Sequence, residues 1–311
     1  MRFISDQEVA RCLDFPAVIG ALEQAFESLA HRRAAIKART RIDCGNVKLS
    51  SMGALWLDAG LAGEKVYPTV EGRYSFLFNL FDIEQGRPLA VMEANELTRL
   101  RTAGLTAMVA RRCAGATRKL ALFGAGVQGR AHLEALAHAL PFEQVDVVDP
   151  LDQSAWCAEA SRRFGLAVRQ RTPDEAVDDA DLVVTVTRSR TPVFDGTRLR
   201  PGAFVAAVGT SLPTGRELDD ATLSRAGRII VEWRPQSGAE AGELVLGRLA
   251  GAVDDARIVD LAELFAGQAR WRAAEQEIVV FKSVGVGLAD LAAASLAWKV
   301  LRDGAATGQP A

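Results

Sequence analysis

The chain has 311 residues, 49% hydrophobic and 24% charged, with a formal net charge of -2. This is the profile of a globular protein long enough for a large core and about two domains, and it excludes a disordered chain. A near-neutral balance without a basic tract gives no pull toward nucleic acid, and no apolar run approaches the roughly 20 residues of a membrane helix, so neither partner is expected.

The N-terminus is charged from Arg2 onward and has no apolar core, so it does not read as a secretory signal. Ser5-Asp6-Gln7-Glu8 reads as a capping box, and Asp14-Phe15-Pro16 starts a second helix. Val18, Leu22, Phe26 and Leu29 then recur at helical spacing. From Arg39 the pattern changes to short strands at 47–49, 63–67, 75–82 and 88–93, the last two flanking a hairpin turn. Residues 95–114 are helical again. At Lys119 strands begin to alternate with helices: strand 120–123, helix 127–139, strand 145–148, helix 153–164, then strands 181–187, 203–208 and 228–232. Alternation of this kind means βαβ units and a parallel sheet. A last helix covers 287–302, and residues 304–311 read as a frayed end.

Cys12, Cys44, Cys113 and Cys157 lie far apart, and neither they nor His31, His132 and His138 fall at a metal-ligand spacing. Reduced structural thiols in a cytoplasmic protein are expected, with no metal. His132 reads as a packing or surface residue.

Gly124-Ala125-Gly126-Val127-Gln128-Gly129 matches the glycine-rich turn of a dinucleotide-binding βαβ unit. Gly124 permits the turn off the strand, Gly126 lets backbone approach a pyrophosphate, and Gly129 lets the helix pack closely on the sheet. The helix N-terminus offers free N–H groups to the phosphate. Asp149, at the end of the next strand, stands where a carboxylate binds the adenosine ribose hydroxyls. A carboxylate repels a 2′-phosphate, and the nearest basic residues that the sequence offers, Arg162 and Arg163, are a helix away. NAD is therefore preferred over NADP.

The chain resembles the ornithine cyclodeaminase/mu-crystallin family over nearly its whole length. The resemblance is carried by Glu64-Lys65-Val66, Leu97-Thr98-Arg99-Leu100-Arg101-Thr102-Ala103, the Gly124 loop with Gln128, Val208-Gly209-Thr210-Ser211-Leu212-Pro213 continuing to Arg216-Glu217-Leu218-Asp219, and Lys282-Ser283-Val284-Gly285 with Asp290. It implies an α/β fold: a Rossmann-type doubly wound parallel sheet at 118–290, plus a mixed α+β substrate and dimerisation domain built from 1–117 and 291–311, so a homodimer is expected. It also implies NAD(P)-dependent chemistry at the Cα–nitrogen bond of a small amino or imino acid. By resemblance Arg39 (with Arg41 a near alternative) and Arg101 clamp the substrate carboxylate, and Lys65 handles the proton at nitrogen. The chemistry is reasonable, since guanidinium groups bind carboxylates bidentately and a lysine with lowered pKa can exchange a proton near neutrality. Thr102 would assist the pyrophosphate, with helix packing as its alternative role. Thr185 and Thr187 would line the adenine or ribose side. Val208, Val284, Gly285 and Gly287 fall to the cofactor by the same implication.

One departure matters. Ornithine cyclodeaminases carry an aspartate where this chain has Ser211, and serine cannot hold an ammonium by charge. The imine-reducing branch resembles the chain better, so reduction of a cyclic ketimine carboxylate such as pyrroline-2-carboxylate is the leading expectation, with Ser211 beside the reacting group. Ornithine cyclisation or amino acid oxidation is the alternative, with Glu71 or Glu93 replacing the aspartate. A non-catalytic dinucleotide-dependent binding protein is the alternative of another class.

Overall fold

The computed structural model describes residues 1–115 and 117–307, with two units: 1–105 together with the chain from 285 onward, and 106–284. The boundaries fall inside a helix at Leu105 and again after Val284, not at 117 and 290 as the sequence reading has them. Residues 285–290 therefore belong with the first unit.

Unit 1 begins with β1 (Arg2–Ile4), α1 (Asp6–Cys12) and α2 (Phe15–Ala30). The capping box forms: Ser5 accepts from the Glu8 N–H while the Glu8 side chain receives the Ser5 N–H. Asp14 caps α2, with Pro16 in its first turn. There follow β2 (Ala34–Ile36), β3 (Thr40–Cys44), β4 (Val47–Trp56), β5 (Leu61–Val70), β6 (Arg73–Tyr74), β7 (Leu77–Asp82), β8 (Arg87–Glu93) and α3 (Asn95–Cys113). Among the described residues the sheet runs β1-β8-β7-β5-β4-β2, with β3 also on β4 and β6 on β5. Only the β1–β8 pairing is parallel. The strand read at 47–49 extends to Trp56, because Ser50, Met52, Ala54 and Trp56 keep one buried face through the serine pair.

That inner face is covered by the C-terminal helix, Gly287–Thr307, whose Leu288, Ala289, Leu291, Ala292, Ala293 and Ala294 are wholly buried. Gly287 permits the close approach: a Cβ there would stand 2.8 Å from the Gly53 carbonyl oxygen on β4. Of the end read as frayed, 304–307 continue this helix and 308–311 lie outside the described residues. The opposite face of the sheet is exposed and apolar, with Phe3, Ile42, Leu49, Leu55, Leu77 and Phe81 all at least 39% accessible.

Unit 2 contains β9 (Lys119–Phe123), α4 (Val127–Ala139), β10 (Gln144–Val148), β11 (Ala167–Gln170), β12 (Leu182–Thr185), β13 (Phe204–Ala207), β14 (Ala226–Val231), β15 (Ile258–Asp260) and β16 (Ile278–Lys282), with helices between. All pairings are parallel, in the order β11-β10-β9-β12-β13-β16-β14-β15. The chain winds outward from β9 to β11, then returns to β12 on the other side of β9. The glycine turn after β9 thus sits at the switch point, where doubly wound sheets bind ligands. The strand read at 181–187 ends at Thr185, because the Thr187 N–H leaves the sheet and donates to Glu217. Among the described residues no helix is long and apolar enough to cross a membrane.

Candidate active site

In unit 1 four ionisable side chains converge. Lys65 projects from β5 into the buried side of the sheet, and its Nζ meets Asp290 Oδ1 at 2.8 Å and donates to Thr98 Oγ1 at 3.4 Å. Arg101, on α3, donates through Nε to the same Asp290 oxygen at 3.0 Å. Arg39, just before β3, donates through Nη2 to the Gly285 carbonyl at 3.2 Å. Arg41 lies in β3 opposite Ser50. Gly285 has φ +79°, and a Cβ there would stand 3.1 Å from both terminal nitrogens of Arg101. Its lack of a side chain therefore serves both the turn and the guanidinium.

Lys65, Arg101 and Asp290 are at most 5% accessible. Burial pulls the Lys65 pKa down from 10.5 to about 7; Asp290 opposes this, while Arg101 and Arg39 add to it. Burial pushes the Asp290 carboxyl up, but Arg101 and Lys65 outweigh it and hold it below its ordinary value. Asp290 Oδ2 is buried without a hydrogen-bond partner among the described residues. Three cations and one carboxylate leave this group positive, which suits a bound anion. The carboxylates considered from sequence are engaged elsewhere: Glu93 accepts the Asp6 N–H, and Glu71 pairs with exposed Arg73. The carboxylate at Lys65 is Asp290, a residue that the sequence reading used only to support the resemblance. The Thr102 hydroxyl donates to its own helix, at the Thr98 carbonyl, 2.6 Å away.

In unit 2 the glycine turn has the predicted geometry. Gly124 has φ +97°, and a Cβ on Gly129 would lie 1.9 Å from the Gly124 carbonyl oxygen. Gly126 is the N-cap of α4, has no side-chain cap bond, and faces open space; Val127 beside it is exposed. The first-turn N–H groups of α4 thus point to a cradle without a Cβ, which fits a pyrophosphate. Gln128 uses its carbonyl to bond His132 Nδ1, and burial of His132 lowers its pKa to about 4, so it is a neutral packing group. Asp149 accepts the Ala125 N–H at 2.8 Å and the Leu151 N–H at 3.0 Å. The basic neighbour missing from the sequence reading is Arg130, which donates through Nε to the Ala125 carbonyl at 3.0 Å.

The loops after β12, β13 and β16 are tied together by buried acids. Glu217 accepts the Thr187 N–H, the Thr187 hydroxyl and the Gly209 N–H, each at 2.7 Å. Glu232 accepts from Ser283 and from the Val284 N–H, and Lys282 pairs with Glu243 and the Thr210 carbonyl. Val208 directly follows β13, and its N–H donates to the Thr185 carbonyl. Thr185 itself is wholly buried, so it offers no surface to a ligand, contrary to the sequence reading. Thr187 spends its hydroxyl on Glu217. Ser211 is half-buried beside Thr210 in unit 2, whereas Lys65, Arg101 and Arg39 belong to unit 1.

The ornithine cyclodeaminase/mu-crystallin family matches residues 2–305. The chain is 27% identical over 305 residues to a Delta(1)-pyrroline-2-carboxylate reductase of Bacillus cereus, covering 94% of each. A probable ornithine cyclodeaminase from Bordetella pertussis has a similar structure, with TM-score 0.94, 43% identity, and 100% of this chain and 99% of that one covered. The Delta(1)-pyrroline-2-carboxylate reductase of Thermococcus litoralis, solved in complex with NADH and L-proline, superposes with TM-score 0.92 at 27% identity over 98% of both chains.

Proposed function

The chain belongs to the ornithine cyclodeaminase/mu-crystallin family, whose NAD(P)-dependent chemistry at the Cα–nitrogen bond of small amino or imino acids it shares, and we propose that it reduces a cyclic ketimine carboxylate such as pyrroline-2-carboxylate. The observation that carries this reading is the buried Lys65–Asp290–Arg101 group. Arg101 and Arg39 hold the substrate carboxylate. Lys65, at about 7, is protonated in a large fraction at neutral pH and gives a proton to the imine nitrogen. A dinucleotide held at the Gly124 turn, the N-terminus of α4 and Asp149 would supply the hydride for the C=N carbon. Nitrogen gains H⁺ and carbon gains H⁻, so the C=N bond becomes CH–NH, and Lys65 is reprotonated from solvent. Asp290 keeps the lysine charged enough to donate.

Ornithine cyclisation is the second reading, favoured by the Bordetella pertussis likeness. Ser211 stands against it, since no carboxylate there could hold the side-chain amine. Mixing the protein with NADH and a five- or six-membered cyclic ketimine carboxylate separates the two: loss of nicotinamide absorbance supports reduction. No loss, with L-ornithine converted to L-proline and ammonia in the presence of NAD and no net NAD reduction, would replace it with cyclisation, in which the hydride taken from ornithine returns to the ring carbon. NAD is the preferred cofactor on account of Asp149.

The same family reading extends to a homodimer through the outer face of the unit 1 sheet. An antiparallel sheet face is normally polar where it meets water, and Phe3, Leu77, Phe81, Leu55, Leu49 and Ile42 instead form a broad apolar surface. Light scattering giving the mass of one chain would remove this reading.

A further inference from the structure

The loop after β10 is built more firmly than a surface turn needs. The Gln170 side chain, from β11, donates to the carbonyls of Asp149 and Leu151 and accepts the Gln153 N–H. Asp149 folds back on the Leu151 N–H and the Ala125 N–H. On the other side of Ala125 lies Arg130, bonded to the Ala125 carbonyl, within 3.5 Å of Gln153 Oε1, and stacked 5.0 Å from the centroid of the Trp156 ring. A carboxylate and a guanidinium thus flank one residue, Ala125, one on its N–H and one on its C=O. Among the described residues they form no ion pair with each other. Arg130 is exposed and stands against the loop that meets the 2′ position of an adenosine ribose in this fold.

We propose, on the reading that this loop holds a dinucleotide, that Arg130 is the recognition residue for a ribose 2′-phosphate, so that the chain accepts NADP(H) as well as NAD(H), with Asp149 setting the balance between them. The guanidinium has donors to spare for a phosphate and a flat aromatic support that keeps it extended. Asp149 opposes a phosphate by charge and favours a free hydroxyl pair. The two effects act at one place with opposite sign, so each can be removed alone.

Calorimetric titration of the unliganded protein with adenosine 2′,5′-bisphosphate and with 5′-AMP tests this without turnover. Arg130→Leu should weaken the bisphosphate about 10-fold and leave 5′-AMP unchanged. Asp149→Asn should tighten the bisphosphate by about as much and weaken 5′-AMP. Equal loss of both nucleotides in Arg130→Leu would overturn the proposal, leaving Arg130 as a brace on the Ala125 carbonyl. Unchanged bisphosphate binding in that variant, or 5′-AMP binding with no bisphosphate binding in the parent protein, would overturn it too. Binding of neither nucleotide to the parent would instead strike the dinucleotide reading itself, and the selector with it.

Discussion

Replacing Asp290 with asparagine removes one charge at almost constant volume. Lys65 Nζ lies 2.8 Å from Asp290 Oδ1. Two unit charges at that separation attract by about 6 kcal/mol at an effective dielectric near 20, which is a ceiling. Opposite charges this close move a pKa by about 1–3 units in practice. The direction follows from the lysine being cationic: without the carboxylate its protonated form is less favoured, so its pKa falls further below about 7. Imine reduction needs the protonated form. In the parent protein kcat/KM for reduction should fall as pH rises through about 7. In Asp290→Asn the fall should begin about 1–2 units lower, and at pH 7.5 the protonated fraction drops about 8- to 80-fold. The assay is the pH profile of kcat/KM with a saturating reduced dinucleotide. An unmoved breakpoint, or one displaced to higher pH, would refute the role given to Asp290 and to Lys65 as donor.

Gly285→Ala places a Cβ 3.1 Å from the Arg101 guanidinium and forces an L residue to φ +79°; KM for the imino acid should rise about 10-fold, at a stability cost of about 1–2 kcal/mol in denaturant melts. Gly129→Ala drives a methyl to 1.9 Å from a backbone oxygen, and fluorescence titration should find NADH binding weakened about 5- to 150-fold. Glu217→Gln must turn an amide N–H toward either Thr187 N–H or Gly209 N–H, leaving one donor unbonded. A loss of about 1–3 kcal/mol of stability is expected by denaturant unfolding, and a change under 0.5 kcal/mol (about the scatter of surface substitutions) would show that the two loops do not depend on it.

What was legible in the sequence was local. Ser5 and Glu8 are three residues apart, so their reciprocal caps need only one helical turn to form. The Gly124 turn declares itself because strand, glycines and helix adjoin one another. Contacts made by distant residues carry no such signal. Asp290 meets Lys65 across 225 positions, and its helix shows nothing but a lone acid in an apolar stretch. Arg130 reads as an ordinary helical arginine until β10 brings its loop alongside. Strand β16 carries no distinguishing signal although Ile278, Val279, Val280 and Phe281 form a fully apolar run; four such residues do not distinguish a buried strand from a buried helix. Its insertion between β13 and β14 reverses the order that chain sequence alone would assign.

Unit 1 is discontinuous, and this has a consequence for how the chain is made. The ribosome delivers Lys65 and Arg101 long before the acid that joins them: Asp290 follows Arg101 by 189 residues. At about 5–20 residues per second that is a wait of about 10–40 s. Throughout it the nascent sheet lacks the helix that covers its inner face, and two cations destined for burial have no counter-charge. The second unit, continuous from 106 to 284, can close on itself in the meantime. Among the described elements, the helix that brings Asp290 to Lys65 and Arg101 is thus made last, and a message truncated before residue 285 would yield a folded second unit attached to an open sheet prone to aggregation.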